Sequence, residues 1–144
     1  MNYPSVTLLV AVMGTALLSG CGTPPALAVF ETGSQVQLRS YQSRAFPGTD
    51  QEKALRVVIS TMQDLGFVID KADAVLGTVT GTKLAGYEVR MTVTVQAHDR
   101  TQLLVRANAQ SKTRPNAAAM AIEEPGPYQD FFAALDKSMF LGSQ

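Results

Sequence analysis

Tyr87 to Gln96 reads YEVRMTVTVQ, and Leu103 to Gln110 answers it with LLVRANAQ. In the first stretch Tyr87, Val89, Met91, Val93 and Val95 alternate with Glu88, Arg90, Thr92, Thr94 and Gln96. A period of two is that of a strand with one face buried and the other wet. The second stretch sets Leu103, Val105, Ala107 and Ala109 on one face, and the AHDRT between the two supplies turn residues. The pair reads as an antiparallel hairpin. Setting Val95 against Leu103, Val93 against Val105 and Met91 against Ala107 makes both inner faces agree.

The segments around this hairpin supply its cover. Downstream, SKTRPNAAAMAIEEPGP reads as a loop with a short helical turn at AAAMA. Pro127 then opens a final helix, PYQDFFAALDKSMFL, whose apolar face is Tyr128, Phe131, Phe132, Leu135 and Met139. Upstream, Leu55, Val58, Ile59, Met62 and Leu65 recur at helical spacing. Thr49 and Glu52 stand in capping-box spacing before them, Asp50 suits the helix dipole, and Gly66 is placed to end the helix. Phe67 to Asp70 reads as a short strand, KADAVLG as a polar connection, and TVTGTK as a further strand or a continuation of the last. Gly81 within TVTGTK marks a bulge or a close backbone approach. Val36 to Phe46, VQLRSYQSRAF, alternates at its start and reads as an irregular edge strand closed by Pro47-Gly48. The expected fold is α+β, an antiparallel sheet with helices packed on one face in the order β-α-β-β-β-α, after an N-terminal signal helix. The wet face would carry Arg90, Thr92, Thr94, Arg106, Asn108 and Gln110.

Length and charge bound the rest. The 144 residues allow one domain with a modest core. Twelve Lys plus Arg balance twelve Asp plus Glu, which gives no electrostatic reason to expect a nucleic-acid partner. Cysteine and histidine occur once each, as Cys21 and His98, so those ligands cannot build a tetrahedral zinc site within one chain.

Val6 to Leu18, VTLLVAVMGTALL, is an uncharged run of thirteen residues. It is shorter than the roughly 20 apolar residues of a spanning helix and suits a signal-peptide core. Leu18 to Cys21, LSGC, follows it. A buried thiol in a helix is the competing reading of Cys21, but Gly20, Gly22 and Pro24-Pro25 would break such a helix. The motif resembles the lipobox of bacterial lipoproteins, although the preceding MNYPS has no Lys or Arg. That resemblance implies cleavage between Gly20 and Cys21, acylation of Cys21 and anchorage by two or three acyl chains. Gly22 in the sorting position implies the outer membrane of a Gram-negative cell; the sequence does not choose between its two faces, and the periplasmic one is the expectation. The expected organisation is a signal peptide over 1–20, a flexible tether over 21–35 and a single domain over 36–144.

The element order behind that address resembles the helix-grip domain of the lipoprotein C component of the β-barrel assembly machinery, over roughly Val36 to Leu141. The stretch QDLGFVIDKADAVLGTVTGTK is similar to a group of small Gram-negative envelope lipoproteins. Neither resemblance brings a cofactor or an activity with it.

Chemistry is sparse in the residues themselves. His98 lies in a predicted turn beside Asp99 and Arg100, with no cysteine to pair with and no serine in a GxSxG context. Asp64, Asp70 and Asp73 gather near a helix end, yet carboxylates do acid–base work only where a cleft separates their pKa values. No P-loop, GxGxxG or EF-hand spacing is present. The expectation is therefore a non-enzymatic accessory subunit of an envelope complex for assembly, secretion or efflux. Cys21 would be its lipid attachment, and Arg90, Thr92, Arg106 and Asn108 its partner surface. A periplasmic small-ligand-binding lipoprotein, using the groove between the last helix and the sheet, is the alternative, and a sizeable apolar pocket there would favour it. An envelope hydrolase would need a cleft joining His98 to an acid and a nucleophile.

Overall fold

A computed structural model of the chain describes residues 35–141. The expected signal peptide, Cys21 and nearly all of the expected tether lie outside the described residues. Residues 35–42 are helical (α1). They are followed by β1 (Ser43–Pro47), α2 (Gln51–Asp64), β2 (Val68–Asp73), β3 (Thr78–Leu84), β4 (Glu88–Ala97), β5 (Gln102–Lys112), β6 (Met120–Ala121) and α3 (Gly126–Leu141). The sheet is open and wholly antiparallel, in the order β1-β5-β4-β3-β2, with β6 pairing with β5 alongside β1. The fold is thus α+β. The β-α-β-β-β-α order gains a helix ahead of its first strand, a full β2–β3 hairpin and the short β6.

The edge strand expected from Val36 is a correction. Residues 35–42 form a helix, and extended pairing begins only at Ser43. The helical choice comes from the anchoring of its end. Leu38 and Tyr41 are half-buried, and Tyr41 packs its ring 6.0 Å from that of Tyr128. The Tyr41 hydroxyl donates to the Glu123 carbonyl at 2.8 Å. These tertiary contacts override a weak period of two.

Helix α2 begins one residue later than its capping-box spacing suggests. Asp50, with extended φ −87° and ψ 92°, is the N-cap, and its Oδ1 accepts from the Lys53 amide at 2.8 Å. Glu52 pairs instead with Arg56, one turn along. A carboxylate at the cap satisfies an orphan amide and meets the positive helix end. Asp50→Ala should therefore cost about 1 kcal/mol, read as a drop of roughly 4–8 °C in melting temperature, whereas Asp50→Asn should hold most of it. Equal losses for both would sink the capping account. At the other end Gly66, at φ +86°, stops the helix where the spacing placed it.

The hairpin of β4 and β5 forms as its alternation requires, but its register is corrected by two residues. Val95 faces Val105, Val93 faces Ala107 and Met91 faces Ala109. A slip of two keeps every side chain on its own face, so the core is unchanged. The longer turn is set by Asp99, whose Oδ1 accepts from the amides of Thr101 at 2.7 Å and Gln102 at 2.8 Å. Strand β2 also outruns its expected end at Asp70. It continues through Lys71 to Asp73, with a bulge between Ile69 and Lys71. Gly81 sits at a close approach, because a Cβ there would lie 3.0 Å from both Met62 Cε and the Val68 carbonyl. The AAAMA segment makes no helical turn; Met120 and Ala121 pair instead with Ser111 and Gln110.

The core is one layer between the helices and the inner sheet face. Val58 and Met62 of α2 and Tyr128, Phe131, Phe132 and Leu135 of α3 are fully buried. They are clustered with Val79, Met91, Val93, Val95, Val105 and Ala107 from the sheet. Each large side chain so buried contributes on the order of 1.5–3 kcal/mol. Tyr128 also carries a polar junction. Its hydroxyl donates to the Ile122 carbonyl at 2.6 Å and accepts from the Ala109 amide at 3.2 Å and from Gln42 Nε2 at 3.1 Å. At the sheet edge Arg44 pairs with Asp136 and lies 5.1 Å over the Phe132 ring.

Candidate functional site

Since the helices cover only the inner face, every second residue of β3, β4 and β5 is presented outward. The register sets these residues in rows across the sheet. Thr78, Thr94, Arg106 and Ser43 form one row, Thr80, Thr92 and Asn108 the next, and Thr82, Arg90 and Gln110 the third. All four candidate surface residues fall on this face. Arg90, Arg106 and Asn108 are exposed and Thr92 is half-buried between its neighbours. Thr92 and Asn108 stand directly opposite each other. Arg90 and Arg106 lie diagonally across that pair, about 14 Å apart by strand spacing and rise.

The face is held by its own hydrogen bonds. The hydroxyls of Thr80 and Thr92 are 3.0 Å apart, and Thr82 Oγ1 donates to Asp70 Oδ2 at 2.6 Å. Arg90 Nε reaches Thr82 Oγ1 at 3.4 Å and Asp70 at 4.0 Å, while its Nη2 lies 3.9 Å from Glu88. The Arg90 guanidinium is thus steered by two carboxylates. Arg106 differs: its Nε donates to Ser43 Oγ at 3.4 Å, and among the described residues no carboxylate lies within ion-pair reach of it. A planar field of hydroxyls and amides with one unneutralised guanidinium can bind an acidic or hydroxyl-rich partner by directional hydrogen bonds.

The threonines of β3 and Ser43 are the part of this face that single-strand patterns miss. The alternation in TVTGTK signals their common face, but only the β3–β4 and β1–β5 registers bring them beside Arg90 and Arg106.

The other candidate residues are not brought together. His98 is exposed in the β4–β5 turn. Beside it, the backbone amide and hydroxyl of Thr101 hold the Asp99 carboxyl below its ordinary range, with smaller help from the Gln102 amide and His98. Asp99 therefore stays ionised as a turn-former. Asp64 ends α2, Asp70 is engaged by Thr82, and Asp73 Oδ1 accepts the Leu76 amide at 2.9 Å. Among the described residues no group of three or more His, Cys, Asp or Glu is placed to hold a metal ion.

Two depressions flank the core. One, of about 280 Å³, lies between the start of α2 and the end of α3, over Ala54, Val57, Leu103 and Met139. The other, of about 210 Å³, lies between the start of α3 and the sheet, floored by Val89, Met91 and Phe131 with Lys83 and Asp130 at its walls. Lys83 is already engaged there, 4.7 Å over the Phe67 ring and 3.4 Å from the Leu65 carbonyl. Among the described residues no helix is long and apolar enough to cross a membrane. No protein-family model matches the chain, and no curated protein matches it.

Proposed function

We propose that the chain is an outer-membrane lipoprotein, anchored through acylated Cys21, whose α+β domain serves as a non-enzymatic accessory subunit of an envelope complex. The observation that carries the docking half of this reading is the outward sheet face. It gathers Arg90, Thr92, Arg106 and Asn108 into one exposed hydrogen-bonding field. The address half rests on LSGC behind the uncharged run of Val6 to Leu18. A helix-grip arrangement, with helices on one sheet face and the other left open, is the finer description that fits this role. Small-ligand binding has less support. The groove between α3 and the sheet holds only about 210 Å³, below the roughly 300 Å³ at which ligand pockets usually begin.

The test is photocrosslinking in native envelopes, with the reactive side chain at Thr92 or, as a control, at Arg56 on the solvent side of α2. The reading expects a discrete adduct from Thr92 alone, weakened by Arg106→Glu and by Cys21→Ala. An acylated, abundant protein that yields no reproducible adduct from Thr92 would refute it and turn attention to the two depressions.

A further inference from the structure

The turn that joins β2 to β3 spans Ala74 to Gly77 and projects from one end of the sheet. Its two middle residues are Val75, 92% exposed, and Leu76, 62% exposed. Single exposed apolar side chains are ordinary on any surface. An adjacent aliphatic pair on a convex tip is different, because it adds its areas in one place.

The tip is held out rigidly. Asp73 Oδ1 accepts the Leu76 amide at 2.9 Å, and the Gly77 carbonyl accepts from the Val95 amide in the neighbouring strand at 2.7 Å. The turn itself carries no charge. The charged residues around it are mixed in sign: Lys71, Asp73, Asp99 and Arg100, together with Asp50, Glu52 and Lys53 at the start of α2, whose Gln51 lies against Gly77. With four carboxylates against three cations, such an end is not drawn to an anionic surface.

We propose that the Val75–Leu76 tip inserts into the headgroup boundary of the lipid bilayer to which the chain is anchored. This rests on the lipid address proposed above. The reach of the chain permits it. Strand β1 runs toward the tip end of the sheet, so Ser43 lies about 14 Å back from that end, and the eight residues of α1 between it and the tether add at most about 12 Å. The fourteen residues from Cys21 to Ser34 span at most about 50 Å when extended. A convex aliphatic knob suits a soft apolar interior, into which burial is favourable without a matching socket. The near balance of charges around the tip leaves the contact to apolar burial, with little dependence on salt or on the anionic-lipid fraction.

The experiment places an environment-sensitive fluorophore at Val75→Cys, with Arg114→Cys in the loop after β5 as the control. Acylated full-length protein is reconstituted in vesicles of phosphatidylethanolamine and phosphatidylglycerol, where acylation leaves the introduced thiol as the only free one. Insertion gives a severalfold rise and a blue shift in emission at position 75, with quenching by lipid-borne quenchers. Position 114 shows neither, Leu76→Asp abolishes the signal, and high salt leaves it in place. Equal, water-like emission at both positions overturns the proposal. So does shielding of position 75 only after envelope proteins are added, which would assign the tip to a protein socket. Mass measurement of the acyl group reports on the address separately. The same label on the Cys21→Ala chain with excess vesicles reads the tip even if that address fails.

Discussion

Phe131→Ala is expected to lower the melting temperature of the domain by roughly 15 °C or more. Phe131 is fully buried, and its ring meets that of Phe132 edge-on at 5.1 Å. It is also among the residues through which α3 joins the cluster of Met91, Val93 and Met62. Truncating a phenylalanine in such a place costs about 3–5 kcal/mol, from lost transfer energy together with the cavity left behind. Against a total stability of about 5–15 kcal/mol, that is a fifth or more. Phe131→Leu keeps much of the apolar volume and should cost less than half as much. Thermal and urea unfolding of the three proteins would decide it. A loss under about 1 kcal/mol for the alanine variant would mean that α3 does not seal the core as described.

Gly77→Ala should be the most damaging single-methyl insertion. Gly77 is at φ +64°, where a residue with a Cβ is strained by about 1–2 kcal/mol. Strain is only part of the effect. An added Cβ would lie 2.3 Å from the Val95 carbonyl oxygen and 2.1 Å from Gln51 Nε2. The glutamine can swing away, but Val95 is backbone within β4, so relief has to move the turn and stretch the bond between the Val95 amide and the Gly77 carbonyl. We expect a loss of about 3 kcal/mol or more. Gly86 is the internal control. Its φ is +78°, yet a Cβ there would meet nothing within 4 Å, so Gly86→Ala should show the strain alone. Equal losses at the two positions would show that the contact with Val95 contributes nothing.

Legibility in the sequence followed the length of the periodic stretch. The alternation from Glu88 to Gln96 marked the strand and which of its side chains face water, while Tyr87, expected on the inner face, lies just before β4 and is exposed. That alternation is why Arg90, Thr92, Arg106 and Asn108 could be placed on one face without coordinates. The same alternation was silent about register, since a shift of two residues preserves both faces. What set the register was the Asp99 side chain bonding two turn amides, a detail that composition does not encode. In residues 35–42 the apolar positions are Val36, Leu38 and Tyr41, too few to separate a period of two from one of three and a half. Contact with Tyr128 and Glu123 decided it. Thr49 and Asp50 are both good caps, and it is Asp50 that takes the position, its carboxylate accepting from the Lys53 amide. Val75 and Leu76 went unmarked because a two-residue exposure has no period at all.

The hydroxyl of Tyr128 carries a last consequence. The Ala109 amide lies in β5 yet donates to that hydroxyl instead of to a neighbouring strand. Its protection from exchange with solvent deuterons therefore requires α3 to be seated. The same hydroxyl closes the Ile122 carbonyl and receives Gln42 from the end of α1. Lifting α3 therefore removes one partner from each of these segments at once. The exchange rate expected of the Ala109 amide is the opening rate of α3.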